Sequence, residues 1–206
     1  MRPTVTDLQG SGFLLLTQFK QQNAIPFLLK YYFERRTWIV LLHYVLTVAT
    51  FLAFLVAIIE TRQPVIGRLA TLGIVLAGFV LLVPIHEGIH AFFYWLIGAR
   101  NLHFSGSIKY LYAYVIADHF VVSGSELSFL ALAPFLILTP ILLAVGLFFR
   151  SFYIPALGLL MVHTAATSGD WAILNYLWSQ RKAEVYSYDD AASGTSYFYE
   201  RVRDKE

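Results

Sequence analysis

Apolar side chains run almost unbroken through four stretches of the chain, roughly 37–59, 69–99, 127–149 and 152–178, and polar positions collect between them. A helix needs about 20 predominantly apolar residues to cross a hydrocarbon core of roughly 30 Å. The pattern therefore predicts four transmembrane helices. The second run is longer than a perpendicular crossing requires: at about 1.5 Å per residue it covers on the order of 46 Å, so it must tilt, kink near Pro84 or protrude. Pro134, Pro140 and Pro155 fall in the last two runs, where neighbouring helices can satisfy the carbonyls they free. That is the pattern of bent helices around a cavity.

The intervening stretch 101–126 has a different character. Phe104, Ile108, Tyr112, Val115 and Val122 alternate with Ser105-Gly106-Ser107 and Ser123-Gly124-Ser125, and β-branched and aromatic residues bounded by Gly/Ser punctuation predict a short β-hairpin. Ahead of the first run, Ile25 to Phe33 followed by Arg35 and Arg36 predicts an interfacial helix. The apolar run Phe13–Leu16 is too short for a signal-peptide core, so no cleaved signal is expected. Past Arg181 the chain turns polar, with Asp189–Gly194 expected as a linker and Tyr197–Tyr199 as a short strand. The expected fold is an all-α integral membrane protein: four transmembrane helices with a short cytoplasmic-side β-hairpin between the second and third. Its expected parts are an interfacial segment 1–36, a four-helix membrane domain 37–180 and a polar tail 181–206.

Composition agrees with a membrane protein: 58% of the 206 residues are hydrophobic and only 14% charged, too apolar for an ordinary soluble domain. A large soluble catalytic module is excluded by length. No dense basic tract supports nucleic-acid binding, and the absence of cysteine removes disulfides, thiolate metal sites and cysteine nucleophiles. With four spans, Arg62, Arg68 and Arg150 fall on one side and the other twelve of the fifteen basic residues on the opposite side. This asymmetry puts both termini in the cytoplasm.

The chemistry concentrates in the second run, at His86-Glu87-Gly88-Ile89-His90. Positions i and i+4 share a helix face, so His86 and His90 can bind one zinc ion while Glu87 acts on water as general base. Glu87 and Asp170 are the two charged residues well inside apolar runs, where a carboxylate costs roughly 2.5–3.5 kcal/mol and needs a partner. Asp170 lies eleven residues before Arg181 and His90 ten before Arg100, so both sit about 15–17 Å from the same membrane edge. Asp170 is thus the expected third ligand, with the fourth position left for water as in a catalytic site. A hydrogen-bonded pairing without metal is the alternative.

His163, seven residues before Asp170, shares its helix face about 10 Å away. It is too far to ligate the same metal as Asp170 unless the helix breaks near Gly169; it is the candidate for a supporting or substrate-polarising role, with a hydrogen-bonded core histidine as the alternative. Thr167 is placed to orient Asp170. Glu126, a competing third ligand, reads better as a charge at a helix start. Asp118 and His119 read as solvated loop residues, and His43 and His103 as isolated histidines without function.

The HEGIH helix, the β-prone stretch after it, the Ala131–Pro134 run and Ser168-Gly169-Asp170 together resemble the bacterial membrane zincin peptidases, a group similar to site-2 proteases. The resemblance spans about residues 67–180. It implies one Zn2+ held by His86, His90 and Asp170, Glu87 as general base, and a bacterial plasma-membrane location. Gly169 precedes the aspartate here, in place of the Leu-Asp-Gly order of site-2 proteases. In those enzymes a β-hairpin pairs with the unwound substrate, which would give 101–126 the same role. The expected function is a membrane-embedded zinc metallopeptidase acting on a membrane protein or membrane-associated peptide. The alternatives are an inactive zinc-binding membrane protein, an ion transporter using the same polar residues, and a small haem-binding bundle.

Overall fold

The computed structural model describes residues 2–107 and 112–202. Residues 108–111, within the expected hairpin, and Arg203 and Lys205 of the charge count lie outside them. In chain order the elements are α1 (Val5–Leu8), β1 (Phe13–Lys20), α2 (Ile25–Leu29) running into a π turn at Lys30–Glu34, α3 (Trp38–Glu60) and α4 (Val65–Leu96). There follow β2 (Leu102–Ser107), β3 (Tyr112–Ala117), β4 (Val122–Ser123), α5 (Gly124–Phe148), α6 (Tyr153–Ala166), α7 (Ser168–Ser179), β5 (Val185–Asp190) and β6 (Thr195–Arg201).

Among the described residues three helices, α3, α4 and α5, are long and apolar enough to cross a membrane. Their boundaries follow local rules. The Thr37 hydroxyl accepts the Ile39 N–H at the start of α3, and Ser123 and Glu126 cap the start of α5 reciprocally, each satisfying donors that the first turn leaves free. Val65, Ile66, Val80 and Leu147 on their outer faces are largely exposed, as lipid-facing side chains are. With 32 residues α4 is the longest, about 48 Å at the helical rise.

The fourth expected span is not a single helix. It breaks at Thr167 into α6, with 14 residues, and α7, with 12. At about 1.5 Å per residue neither half covers a hydrocarbon core by itself. The run Thr167-Ser168-Gly169 explains the break, because its hydroxyls compete for backbone partners and its glycine is a weak helix former. α6 packs against α3, α4 and α5. The approach is close at Gly158, where a Cβ would stand 2.5 Å from Val75 Cγ2 and 2.9 Å from Phe54 Cε2.

Nor is the chain all-α with one hairpin. β2 and β3 do form an antiparallel pair, from Leu102 opposite Ala117 to Ser107 opposite Tyr112. A second sheet of four antiparallel strands has the order β1-β6-β5-β4. β1 pairs with β6 from Phe13 opposite Arg201 to Lys20 opposite Thr195, so the segment expected to be interfacial and the polar tail share one sheet, and the strand expected at Tyr197–Tyr199 lies within β6. The expected linker is the last part of β5 and its turn. Gly194, at φ 60°, supplies the left-handed residue that the tight return into β6 requires. Tyr186, Tyr188 and Tyr199 pack with Leu8 and Val121 on one side of this sheet. On the other, Val185 and Phe198 pack with Phe27, Tyr176 and Leu177, seating the sheet on α2 and α7.

Candidate metal centre

α4 and α7 build the site. His86 and His90 lie one turn apart near the sheet end of α4 with Glu87 next to His86, and Asp170 lies in the first turn of α7, where the helix dipole favours a carboxylate. The break at Thr167 is what starts a new helix there. His86 Nε2 stands 3.1 Å from His90 Nε2 and 3.3 Å from Asp170 Oδ2, and His90 Nε2 stands 3.5 Å from Asp170 Oδ1. Glu87 Oε1 is 4.0 Å from His86 Nε2, and the backbone of Val115 in β3 reaches the Glu87 carboxylate. All four side chains are mostly buried.

The tautomer of His90 follows from its partner. Nδ1 lies 3.0 Å from the Leu130 carbonyl of α5, and a carbonyl only accepts, so Nδ1 carries the proton. In the neutral ring Nε2 then presents a lone pair toward His86 and Asp170, which is the state a metal-binding imidazole needs. Two imidazole nitrogens and a carboxylate meet at one point.

Zinc fits this donor set. Ligand atoms about 2.0–2.1 Å from a zinc ion at tetrahedral angles stand about 3.3–3.4 Å from one another. The two imidazole nitrogens are 3.1 Å apart, and the Asp170 carboxylate offers Oδ2 at 3.3 Å from His86 and Oδ1 at 3.5 Å from His90. With two imidazoles and one carboxylate as ligands, a zinc ion would keep one tetrahedral position open, as in catalytic zinc sites.

The remaining candidates separate. His163, at the end of α6, is 3% exposed. Its ring centre is 5.9 Å from that of His86 and 6.2 Å from that of Phe135, on which it stacks. Its Nε2 has no hydrogen-bond partner among the described residues. The helix break brings it beside His86, a proximity that a straight helix would not give. Thr167 turns elsewhere: its hydroxyl donates to the Thr164 carbonyl at 2.8 Å. Glu126 caps α5 and pairs with Arg2. Asp118 accepts from Asn101 and from the Ala191 N–H and bonds His119; these bonds hold its carboxyl below the usual range against the opposing effect of burial. Among the described residues, His86, Glu87 and His90 form one group close enough to hold a metal ion, and Asp118, His119 and Asp190 form another, which ties the hairpin to the β5–β6 turn. His103 lies in β2 opposite Ile116.

Two features had no sequence signal. One is the Leu130 carbonyl, a backbone atom. The other is His43, wholly buried on α3 and bonded to both Tyr32 and the Thr164 carbonyl.

Residues 79–185, just over half of the chain and inclusive of every residue of this centre, match the profile of the family described as "Putative zincin peptidase". The chain belongs to this zincin peptidase family. Membership implies zinc and suggests a metallopeptidase, in agreement with the donor set. Searches of curated proteins and of solved structures give no significant match.

Proposed function

We propose that this zincin is a membrane-embedded zinc metallopeptidase that hydrolyses a peptide bond of a membrane protein or membrane-associated peptide. The observation that carries the reading is the convergence of His86 Nε2, His90 Nε2 and the Asp170 carboxylate at zinc-ligand separations. These three side chains are the proposed ligands. Zinc, when bound, supplies Lewis acidity that activates water and polarises the scissile carbonyl.

Glu87 does the proton work. Beside His86 and largely buried, its carboxylate takes a proton from the attacking water and delivers it to the leaving amine. His163 supplies the remaining polar contact. A buried nitrogen left without a partner costs about 1–3 kcal/mol, and a donor at Nε2 gains its partner when the carbonyl oxygen develops negative charge. Burial among apolar helices keeps bulk water from competing for these bonds.

The asymmetry of basic residues supports a site open toward the cytoplasm, in a bacterial plasma membrane, with both termini on that side. The order of HEGIH, hairpin and Ser168-Gly169-Asp170 supports a site-2-protease-like mode in which the β2–β3 hairpin receives an extended substrate. The decisive experiment compares cells expressing wild type and Glu87→Gln by proteomic mapping of new N-termini in membrane proteins, alongside zinc analysis of both purified proteins. Cleavage products confined to wild type, with zinc in both, are expected. Identical products from the two proteins would refute the mechanism.

A further inference from the structure

His43 has no place in the chemistry above, yet it sits at the joint on which the centre depends. It is 0% exposed on α3. Its Nε2 lies 2.8 Å from the carbonyl of Thr164 and 3.4 Å from the hydroxyl of Thr167, and its Nδ1 lies 2.5 Å from the hydroxyl of Tyr32. The Thr164 carbonyl can only accept, so Nε2 carries the proton. Nδ1 is then the acceptor in the neutral ring, and the Tyr32 hydroxyl must donate to it. Burial pushes the Tyr32 phenol up to about 12, so the donor stays protonated. The resulting chain, Tyr32 O–H to His43 to Thr164 C=O, has one consistent direction.

The atom at its end matters. Thr164 lies in the last turn of α6, where carbonyls lose their intrahelical partners, and the Thr164 carbonyl accepts from both His43 and the Thr167 hydroxyl. The next turn opens α7 and carries Asp170. The His43 ring also stacks on Trp171 with centres 4.9 Å apart, and Phe135 meets the same indole edge-on at 5.4 Å. His43 therefore holds both sides of the α6–α7 break: the Thr164 carbonyl in the last turn of one helix by hydrogen bonding and the residue beside Asp170 by stacking.

We infer that Tyr32 and His43 are positioning residues that fix the α6–α7 joint and so set the Asp170 carboxylate against His86 and His90. The assignment rests on the metal-site reading above, and it adds that the precision of the third ligand comes from α3 and the π turn before it. Neither residue touches the reacting atoms. Both lie outside residues 79–185, which match the family profile.

The test uses detergent-purified full-length protein loaded with Co2+ in place of zinc, whose visible absorption reports ligand geometry. His43→Phe keeps the stack and removes both hydrogen bonds, Tyr32→Phe removes only the relay donor, and His43→Gln restores a donor toward Thr164. Asp170→Asn and Gly158→Ala serve as references for a damaged ligand set and for plain loss of stability. His43→Phe is expected to shift the cobalt band toward that of Asp170→Asn and weaken metal binding about 10–100-fold, the usual effect of losing an outer partner of a ligand. Tyr32→Phe should move the same way to a smaller extent, and His43→Gln should recover the wild-type band. Wild-type spectra and affinities in both His43→Phe and Tyr32→Phe overturn the inference and leave the metal site standing. If His43→Phe fails to fold, Tyr32→Phe alone decides by the same criterion. Failure of wild type to bind either metal overturns the metal-site reading, and this inference with it.

Discussion

Replacement of Asp170 by alanine tests the centre most directly. Asp170 Oδ2 and Oδ1 stand 3.3 and 3.5 Å from the two histidine nitrogens, so the side chain closes the third corner of the site. Small closed zinc sites bind with about 10–16 kcal/mol of apparent free energy, or about 2.5–4 kcal/mol for each of four ligands. Loss of one ligand should therefore raise the zinc Kd by about 10²–10³-fold at 1.4 kcal/mol per decade. The assay is competition against a chromophoric chelator with detergent-purified protein at fixed pH. His86→Ala should behave like Asp170→Ala. His90→Ala should lose at least as much, because the Leu130 carbonyl also loses its donor. Glu87→Gln, which removes no proposed ligand, should change the affinity less than about tenfold. Wild-type affinity in Asp170→Ala would refute the ligand assignment. A loss in Glu87→Gln as large as that in Asp170→Ala would place Glu87 on the metal instead of on the water.

Three further outcomes follow from other parts of the molecule. His163→Leu should retain zinc while lowering the rate of hydrolysis by about 10²–10³-fold, the scale of removing one oxyanion donor; zinc analysis beside cleavage of a substrate found by the N-terminal mapping checks it, and unchanged turnover would return His163 to a packing role. Gly158→Ala places a Cβ against Val75 and Phe54 and should cost about 1–3 kcal/mol as overpacking, read as an earlier thermal transition in detergent. Asp189 has its pKa raised to about 6, chiefly by burial, so the folded state favours its neutral form. The stability it contributes is complete below about pH 4, the unfolded value, and is lost as pH rises through about 6; Asp189→Asn should flatten that part of a melting-temperature profile, and a slope identical to wild type would refute it.

How much of this was legible in the sequence differs from element to element. The juxtaposition of His86 and His90 was readable because the i, i+4 relation is local and survives any packing. Asp170 was readable because a carboxylate inside an apolar run demands a partner, and depth counting put the histidines within reach. The break between α6 and α7 was not. Hydropathy averages over a window and does not register where backbone bonds stop, so 152–178 passed as one span although Ser168-Gly169 interrupts it. The four-stranded sheet was hidden for another reason: β1 is defined by β6, a partner at the far end of the chain, and no local pattern reports a long-range pairing. His43 looked functionless for the same cause, since its partner in α6 is a backbone carbonyl that carries no residue identity at all.

The sheet has a kinetic consequence. Phe13 must wait for Arg201, so β1 finds its partner only after nearly all the intervening chain exists. Closing so long a loop is entropically expensive and slow. The far end of α7 is held late as well, because Tyr176 and Leu177 pack with Val185 and Phe198 of those last strands. The helix that carries Asp170 should accordingly be among the last parts of the molecule to become rigid, and zinc should be captured near the end of folding. Pulsed hydrogen exchange during refolding into micelles is expected to find α3 and α5 protected before β1 and the final turns of α7. The two ends of the chain would then act as a clasp, and the centre would mature only once the clasp is shut.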